Sequence, residues 1–110
     1  MDAATKKMIL EDLGGLDEAI YDELVADCIA QSGGEFEELK TAAAIPDHAR
    51  LDALGHSIKG SAGNLRLTEL QTAAKAVEFA GKEKRSAAEI VPLMAELEKA
   101  LRSLGYGGTA

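Results

Sequence analysis

Apolar residues recur every three or four positions along most of this chain, which is the spacing of one face of an α-helix. The clearest stripe lies near the carboxyl end and consists of Ile90, Leu93, Met94, Leu97, Leu101 and Leu104. No sustained alternation of β-branched and polar residues, the pattern of a strand, interrupts these stripes. The pattern therefore predicts an all-α chain.

Glycine and proline divide the first half of this pattern. We expect a short helix over residues 3–13 that ends at Gly14-Gly15, and a second helix from Asp17 to Ala30. The run Ser32-Gly33-Gly34 is expected to break that helix, and a short helix to about Ala44 follows. Pro46 suits a helix start better than a helix interior, which predicts a further helix over residues 47–65.

Two capping boxes, in which a hydroxyl residue and a side chain three positions later cap each other, organise the second half. Thr68 with Gln71 is expected to open a helix that ends near Gly81, and Ser86 with Glu89 one that runs to about Leu104. Pro92 predicts a kink in the last helix or a later start. With up to six helices and short connections, the four longest are expected to form an antiparallel four-helix bundle with one or two short additional N-terminal helices. Residues 1–104 would form this single domain, and residues 105–110 a flexible tail.

Composition and charge exclude several classes of function. The net charge of −7 argues against nucleic acid or an anionic membrane as the main partner. The single Cys28 cannot form an internal disulfide, which fits a reducing cytoplasm. No apolar run approaches the roughly 20 residues that span a bilayer. His48 is eight residues from the other histidine and no cluster completes a ligand set, so we expect no metal site.

The candidate chemistry lies in the helix over residues 47–65. On a helical wheel His56 falls roughly 160° from the apolar stripe, so its side chain is expected to point to solvent. Gly60 and Gly63 share its face, although a glycine inside a helix costs about 1 kcal/mol relative to alanine. Two glycines on one exposed face indicate that access to the imidazole matters. Gly55 lies nearer the apolar stripe, where helix packing is the better interpretation.

The ten residues from His56 to Leu65, His-Ser-Ile-Lys-Gly-Ser-Ala-Gly-Asn-Leu, closely resemble the signature of histidine phosphotransfer (HPt) domains, the helical modules of two-component phosphorelays. The resemblance implies that His56 accepts the phosphoryl group and that Lys59, one turn away, stabilises it. It also implies that Gly60 and Gly63 leave room for a partner, with Ala49, Ala53 and Asn64 as further docking candidates. Ser61 is expected to make a structural hydrogen bond. The chain departs from the family at Arg66, where many members have another glycine, which leaves the geometry of that loop open.

The resemblance further implies a cytoplasmic phosphocarrier with no turnover of its own and no cofactor. Its expected partners are receiver domains of hybrid histidine kinases and response regulators, which supply the aspartate and the bound Mg²⁺. A monomer suits a domain that must meet two partners in turn. Two alternatives stay open: the substrate domain of an ATP-dependent, chemotaxis-type kinase, and an adaptor that binds receivers without phosphotransfer. The dimerisation helices of a sensor kinase fit less well, because Ser57 follows His56 and no proline comes soon after.

Overall fold

The computed structural model describes residues 1–108 and contains five helices in that part of the chain. In order these helices are α1 (Ala3–Asp12), α2 (Glu18–Ala44), α3 (His48–Asn64), α4 (Thr68–Lys82) and α5 (Ala87–Ser103). No strand occurs within the described residues, which confirms the all-α prediction. Residues 109 and 110, which belong to the predicted tail, lie outside the described residues.

Helices α2 to α5 form a four-helix bundle around a mostly aliphatic core that also contains Phe36. Each contacts two others, in the cycle α2–α3–α4–α5–α2. Loops of three residues (45–47 and 65–67) and of four residues (83–86) join successive helices, and such short connections make them run antiparallel. Leu51, Ile58, Leu70, Leu97 and Leu101 are among the fully buried core side chains. One short helix, α1, precedes the bundle.

The expected helix break at Ser32-Gly33-Gly34 was wrong, because α2 runs through it without interruption for 27 residues. The sequence therefore forms five helices in the described region and not six. Gly33 is buried and lies against the ring of Tyr106, in space that a Cβ would occupy. The glycine thus makes room for a side chain from the carboxyl end while the helix continues past it.

The described part of the expected flexible tail, residues 105–108, is instead anchored through Tyr106. The Tyr106 ring packs edge-on against Phe36, with the ring centroids 6.2 Å apart. Its hydroxyl donates a hydrogen bond to Glu37 and lies 3.4 Å from the Gly33 carbonyl oxygen. Because an aromatic side chain buries a large apolar area, a single tyrosine is enough to hold this short segment on the bundle.

The helix starts follow the predicted capping in one case and not in the other. Ser86 and Glu89 form the expected capping box at the start of α5, and that helix begins at Ala87 with Pro92 in its interior, so the later start was wrong. The capping box of Thr68 with Gln71 was also wrong. Thr68 is already the first helical residue of α4, and Leu67 precedes it without a side-chain cap.

The carboxyl end of α3 is fixed by residues from the amino-terminal region. Arg66 has φ 61°, the left-handed conformation that glycine adopts most easily. Its side chain donates to Asp12 at 2.8 Å and to the Gly63 carbonyl at 3.1 Å. The Tyr21 hydroxyl donates to the Leu65 carbonyl at 2.6 Å. These contacts stabilise the left-handed turn at Arg66, the position at which many members of the resembled family have glycine.

Two glycines bring the backbones of α3 and α4 into direct contact. A Cβ on Gly55 would lie 2.7 Å from the Glu78 amide nitrogen and 3.0 Å from the Ala74 carbonyl oxygen. A Cβ on Gly81 would lie 2.6 Å from both the Asp52 nitrogen and the His48 carbonyl oxygen. The packing interpretation of Gly55 is therefore confirmed. The close approach places side chains at the solvent edge of one helix within reach of the other.

Candidate functional site

His56 lies near the middle of α3, on the side of that helix that faces solvent. The apolar stripe of α3 consists of buried Leu51, Ile58 and Ala62, which face the core. The side chain of His56 is 70% exposed, as its position on the helical wheel predicts. The imidazole can therefore be reached by another macromolecule.

A carboxylate on α4 joins the two candidate residues of α3. His56 Nδ1 lies 2.8 Å from Glu78 Oε2, and Lys59 Nζ lies 2.7 Å from Glu78 Oε1. The side chain of Glu78 is 2% exposed and that of Lys59 is 27% exposed. Both oxygens of a buried carboxylate are thus occupied, one by the histidine and one by the lysine. Lys59, expected to stabilise a phosphoryl group, is held by Glu78 in the unmodified protein.

The charge of Glu78 determines which nitrogen of His56 carries the proton. The hydrogen bond from Lys59 lowers the pKa of Glu78 below its ordinary value, against the opposing effect of burial, and the hydrogen bond to His56 lowers it further. An ionised carboxylate can only accept hydrogen bonds, so Nδ1 of a neutral His56 must be the donor. The lone pair of Nε2 then remains free on the exposed side of the ring. Such an arrangement is suited to nucleophilic attack by Nε2.

Glu78 is a site residue that the sequence analysis missed. On a helical wheel of α4 it lies beside Ala74, Val77 and Gly81, all of which are buried, and a charged side chain is rarely buried without a partner. A glutamate beside an apolar stripe was therefore a usable signal. Its partners could not be read from α4 alone, because they lie 22 and 19 residues earlier in the chain.

The small residues expected around His56 divide into two groups. Ala49, Ala53, Gly60 and Asn64 are exposed, and a Cβ on Gly60 would meet nothing within 4 Å. Gly63 is half-buried and is covered by Gln71 of α4, whose Nε2 would lie 2.7 Å from a Cβ there. The expectation of open space therefore holds at Gly60 and not at Gly63, because Gln71 extends from the neighbouring helix.

Ser61 and His48 are two further polar residues of α3. Ser61 is half-buried, and its hydroxyl makes no hydrogen bond within residues 1–108, so the structural hydrogen bond expected for it is not present there. His48 is the first residue of α3, and its Nε2 lies 2.7 Å from the Arg85 carbonyl oxygen. This contact joins the start of α3 to the loop before α5.

Other kinds of site were sought in the part of the chain that the structure covers. No group of three or more histidine, cysteine or carboxylate side chains in residues 1–108 is arranged to hold a metal ion. Across those same residues, no helix combines the length and the apolar character needed to cross a membrane.

Comparison with known proteins gives one match. Residues 23–105 of this chain match the family model described as Hpt domain. Neither the curated proteins nor the solved structures contain a match to this chain. The matched region contains α3, α4 and α5 in full, and with them His56, Lys59 and Glu78.

Proposed function

This chain belongs to the Hpt domain family, whose members carry out histidine phosphotransfer in two-component systems, and on that premise we propose that it is a phosphocarrier that uses His56. In this proposal His56 accepts a phosphoryl group from the aspartate of one receiver domain and passes it to a response regulator. The observation that carries the proposal is an exposed imidazole whose Nδ1 is bonded to a buried carboxylate. The protein acts as an intermediate carrier and has no turnover of its own.

The transfer step uses the free lone pair of Nε2. Nε2 attacks the phosphorus of the aspartyl phosphate, an N–P bond forms, and the bond from phosphorus to the aspartate oxygen breaks. The receiver recovers its carboxylate, and the proton on Nδ1 stays on the ring. The product is a cationic phosphoimidazole ring whose Nδ1–H still points at Glu78. The negative charge of Glu78 stabilises this cation, so the carboxylate favours the developing product as well as the reactive tautomer.

Lys59 has an indirect part in this scheme. Its ammonium group keeps Glu78 ionised and oriented, at 2.7 Å from Oε1. A direct contact between Lys59 and the phosphoryl group, which the resemblance implies, would require this ion pair to open. The pKa of Glu78 is lowered in the folded state. The contribution of ionised Glu78 to the stability of the folded protein is therefore complete above the ordinary carboxyl pKa, and it is lost as pH falls through the lowered value.

The partners in this proposal are receiver domains of hybrid histidine kinases and response regulators. Each would bring its own aspartate and Mg²⁺, and the carrier itself would bind no cofactor. The exposed surface around His56, made by Ala49, Ala53, Gly60 and Asn64, would contact the rim of the receiver. A monomer leaves this surface free for two partners in turn.

Intact-mass phosphotransfer tests the proposal directly. The protein is mixed with Mg²⁺ and a panel of phosphorylated receiver domains, and the expected product is an acid-labile adduct on His56. Binding to receivers without any adduct would contradict the carrier and support the adaptor. Faster labelling by an isolated kinase catalytic domain with ATP than by any receiver would support a chemotaxis-type kinase substrate domain instead.

Replacing Glu78 with Gln is expected to slow transfer from a receiver by about tenfold or more, since a hydrogen bond to a charged group contributes roughly 1.5–3 kcal/mol. The amide can donate to Nδ1 as well as accept from it, so the reactive tautomer is no longer enforced. The ¹⁵N chemical shifts of the His56 ring report that tautomer independently of rate. Glu96→Gln, at an exposed position of α5, is the matched control. An unchanged rate together with an unchanged tautomer would refute this role of Glu78.

Replacing Gly60 with Arg is expected to slow transfer from a receiver by about tenfold or more, because a small displacement of reacting groups has a large effect on rate. Gly60 lies one turn beyond His56 with open space around it, so a long side chain there obstructs the partner and not the fold. Gly63→Arg is a poorer test, since Gln71 already occupies that space. Receiver transfer rates are measured together with thermal unfolding, and a variant that transfers at the original rate contradicts the access interpretation.

A further inference from the structure

The three lysines of α3 and α4, the two helices that form the site, differ in what already holds them. Lys59 is bound to Glu78 at 2.7 Å, and Lys82 lies 3.0 Å from Asp52. Lys75 makes no ion pair with any carboxylate in residues 1–108, and its Nζ instead lies 5.4 Å from the centroid of the exposed Phe79 ring. A cation–π contact at an exposed site is weak. Lys75 is therefore the one of these three that can move to a new anion without breaking an ion pair.

The backbone contact between α3 and α4 places Lys75 level with His56. A Cβ on Gly55 would lie 3.0 Å from the carbonyl oxygen of Ala74. His56 is the next residue after Gly55 in the sequence, and Lys75 is the next residue after Ala74. Lys75 also lies one turn before Glu78, the residue that contacts His56. Ala74 is buried whereas Lys75 and His56 are exposed, so both side chains start from the solvent edge of the same helix contact.

The geometry points to Lys75 as the residue that binds the phosphoryl group on His56, an inference that rests on the proposed phosphocarrier function. A phosphoryl group on Nε2 adds a dianion on the exposed side of the imidazole. If Lys59 moved to it, Glu78 would keep only the ring of His56 as a partner, and an ion pair would be broken at a position where the glutamate side chain is only 2% exposed, which is unfavourable. To reach the phosphoryl group, the Lys75 ammonium has to give up only its contact with the face of the Phe79 ring. We therefore assign Lys59 to the carboxylate and Lys75 to the phosphoryl group.

The test uses phosphoramidate, a small donor that requires no partner protein. Nε2 of His56 attacks its phosphorus, the N–P bond of the donor breaks, and ammonia leaves. After the donor is removed, the rate of hydrolysis of the phosphohistidine is measured at low and high salt. A receiver domain with Mg²⁺ is then added, and the equilibrium between the two phosphoproteins is determined.

Lys75→Gln is expected to shift that equilibrium away from phosphohistidine by about fivefold, in line with an exposed charge pair, and to speed hydrolysis by a similar factor. Both effects should shrink in high salt, because the groups are exposed. Lys75→Arg should restore the original values. The matched control is Lys99→Gln, a loss of the same charge on the exposed face of α5, which should leave both quantities unchanged.

Equal shifts in Lys75→Gln and Lys99→Gln would overturn the assignment, because net charge would then explain both. It would equally be overturned if Lys59→Gln, and not Lys75→Gln, weakened the phosphohistidine, or if phosphoramidate failed to label His56. If the label forms and responds to Lys75 but passes to no receiver, the assignment of Lys75 stands and the proposed partner class fails. The two conclusions are thus separated by the same experiment.

Discussion

Replacing His56 with Gln is expected to abolish labelling by phosphorylated receivers while leaving the fold intact. No other side chain on the exposed face of α3 offers a neutral nitrogen nucleophile, and His48 is engaged at the far end of that helix by the Arg85 carbonyl. The side chain of His56 is 70% exposed, so its removal takes little from the core. The loss of its hydrogen bond to Glu78 is expected to lower the free energy of unfolding by at most roughly 1.5–3 kcal/mol, which leaves the protein folded.

The measurement combines intact-mass detection of the adduct with circular dichroism and thermal unfolding. Glu78 keeps its bond to Lys59 in this variant, so the buried carboxylate does not lose its cation. His48→Gln is the control for the second histidine and should remain fully labelled. Persistent labelling of His56→Gln would move the phosphorylation site to another residue and would end the proposal.

Replacing Gly81 with Ala is expected to destabilise the protein strongly, although alanine is the better helix former. The added Cβ would lie 2.6 Å from two backbone atoms of α3, which cannot move aside as a flexible side chain can. The two helices must separate, at a cost of about 3 kcal/mol on the scale of overpacked cores. A change of that size corresponds to a melting temperature lower by roughly 10 °C or more.

Gly60→Ala is the matched comparison, because it makes the same chemical change on the neighbouring helix. A Cβ at Gly60 meets nothing within 4 Å, so this variant is expected to gain up to about 1 kcal/mol from helix propensity. Chemical denaturation of both variants measures the two changes directly. Equal stability in the two would mean that α3 and α4 are not in close contact at Gly81.

Much of the bundle could be predicted from local pattern, and the failures have local causes. The stripes of α3 and α5 predict those helices because burial of a wide apolar face dominates their stability. The run Ser32-Gly33-Gly34 looks like a break because two glycines are poor helix formers. The ring of Tyr106, 73 residues later, packs on Gly33, and a pairing at that distance leaves no mark in the local pattern.

The candidate site shows the same limit in its chemistry. The exposure of His56 follows from its angle to one apolar stripe, so sequence alone predicts it. The engagement of Lys59 by Glu78 depends on the register of α3 against α4, which Gly55 and Gly81 determine through backbone contacts. A helical wheel describes one helix at a time and contains no information on that register.

The bond between His56 and Glu78 joins residues 22 positions apart, on two helices whose spacing glycine contacts define. In an unfolded or misfolded copy the two side chains are not held together, and His56 is an ordinary imidazole without a fixed tautomer. In the proposed function, the reactivity of His56 therefore depends on correct folding as well as on the presence of the histidine. In that function, an unfolded copy would be a poorer phosphoryl acceptor than a folded one.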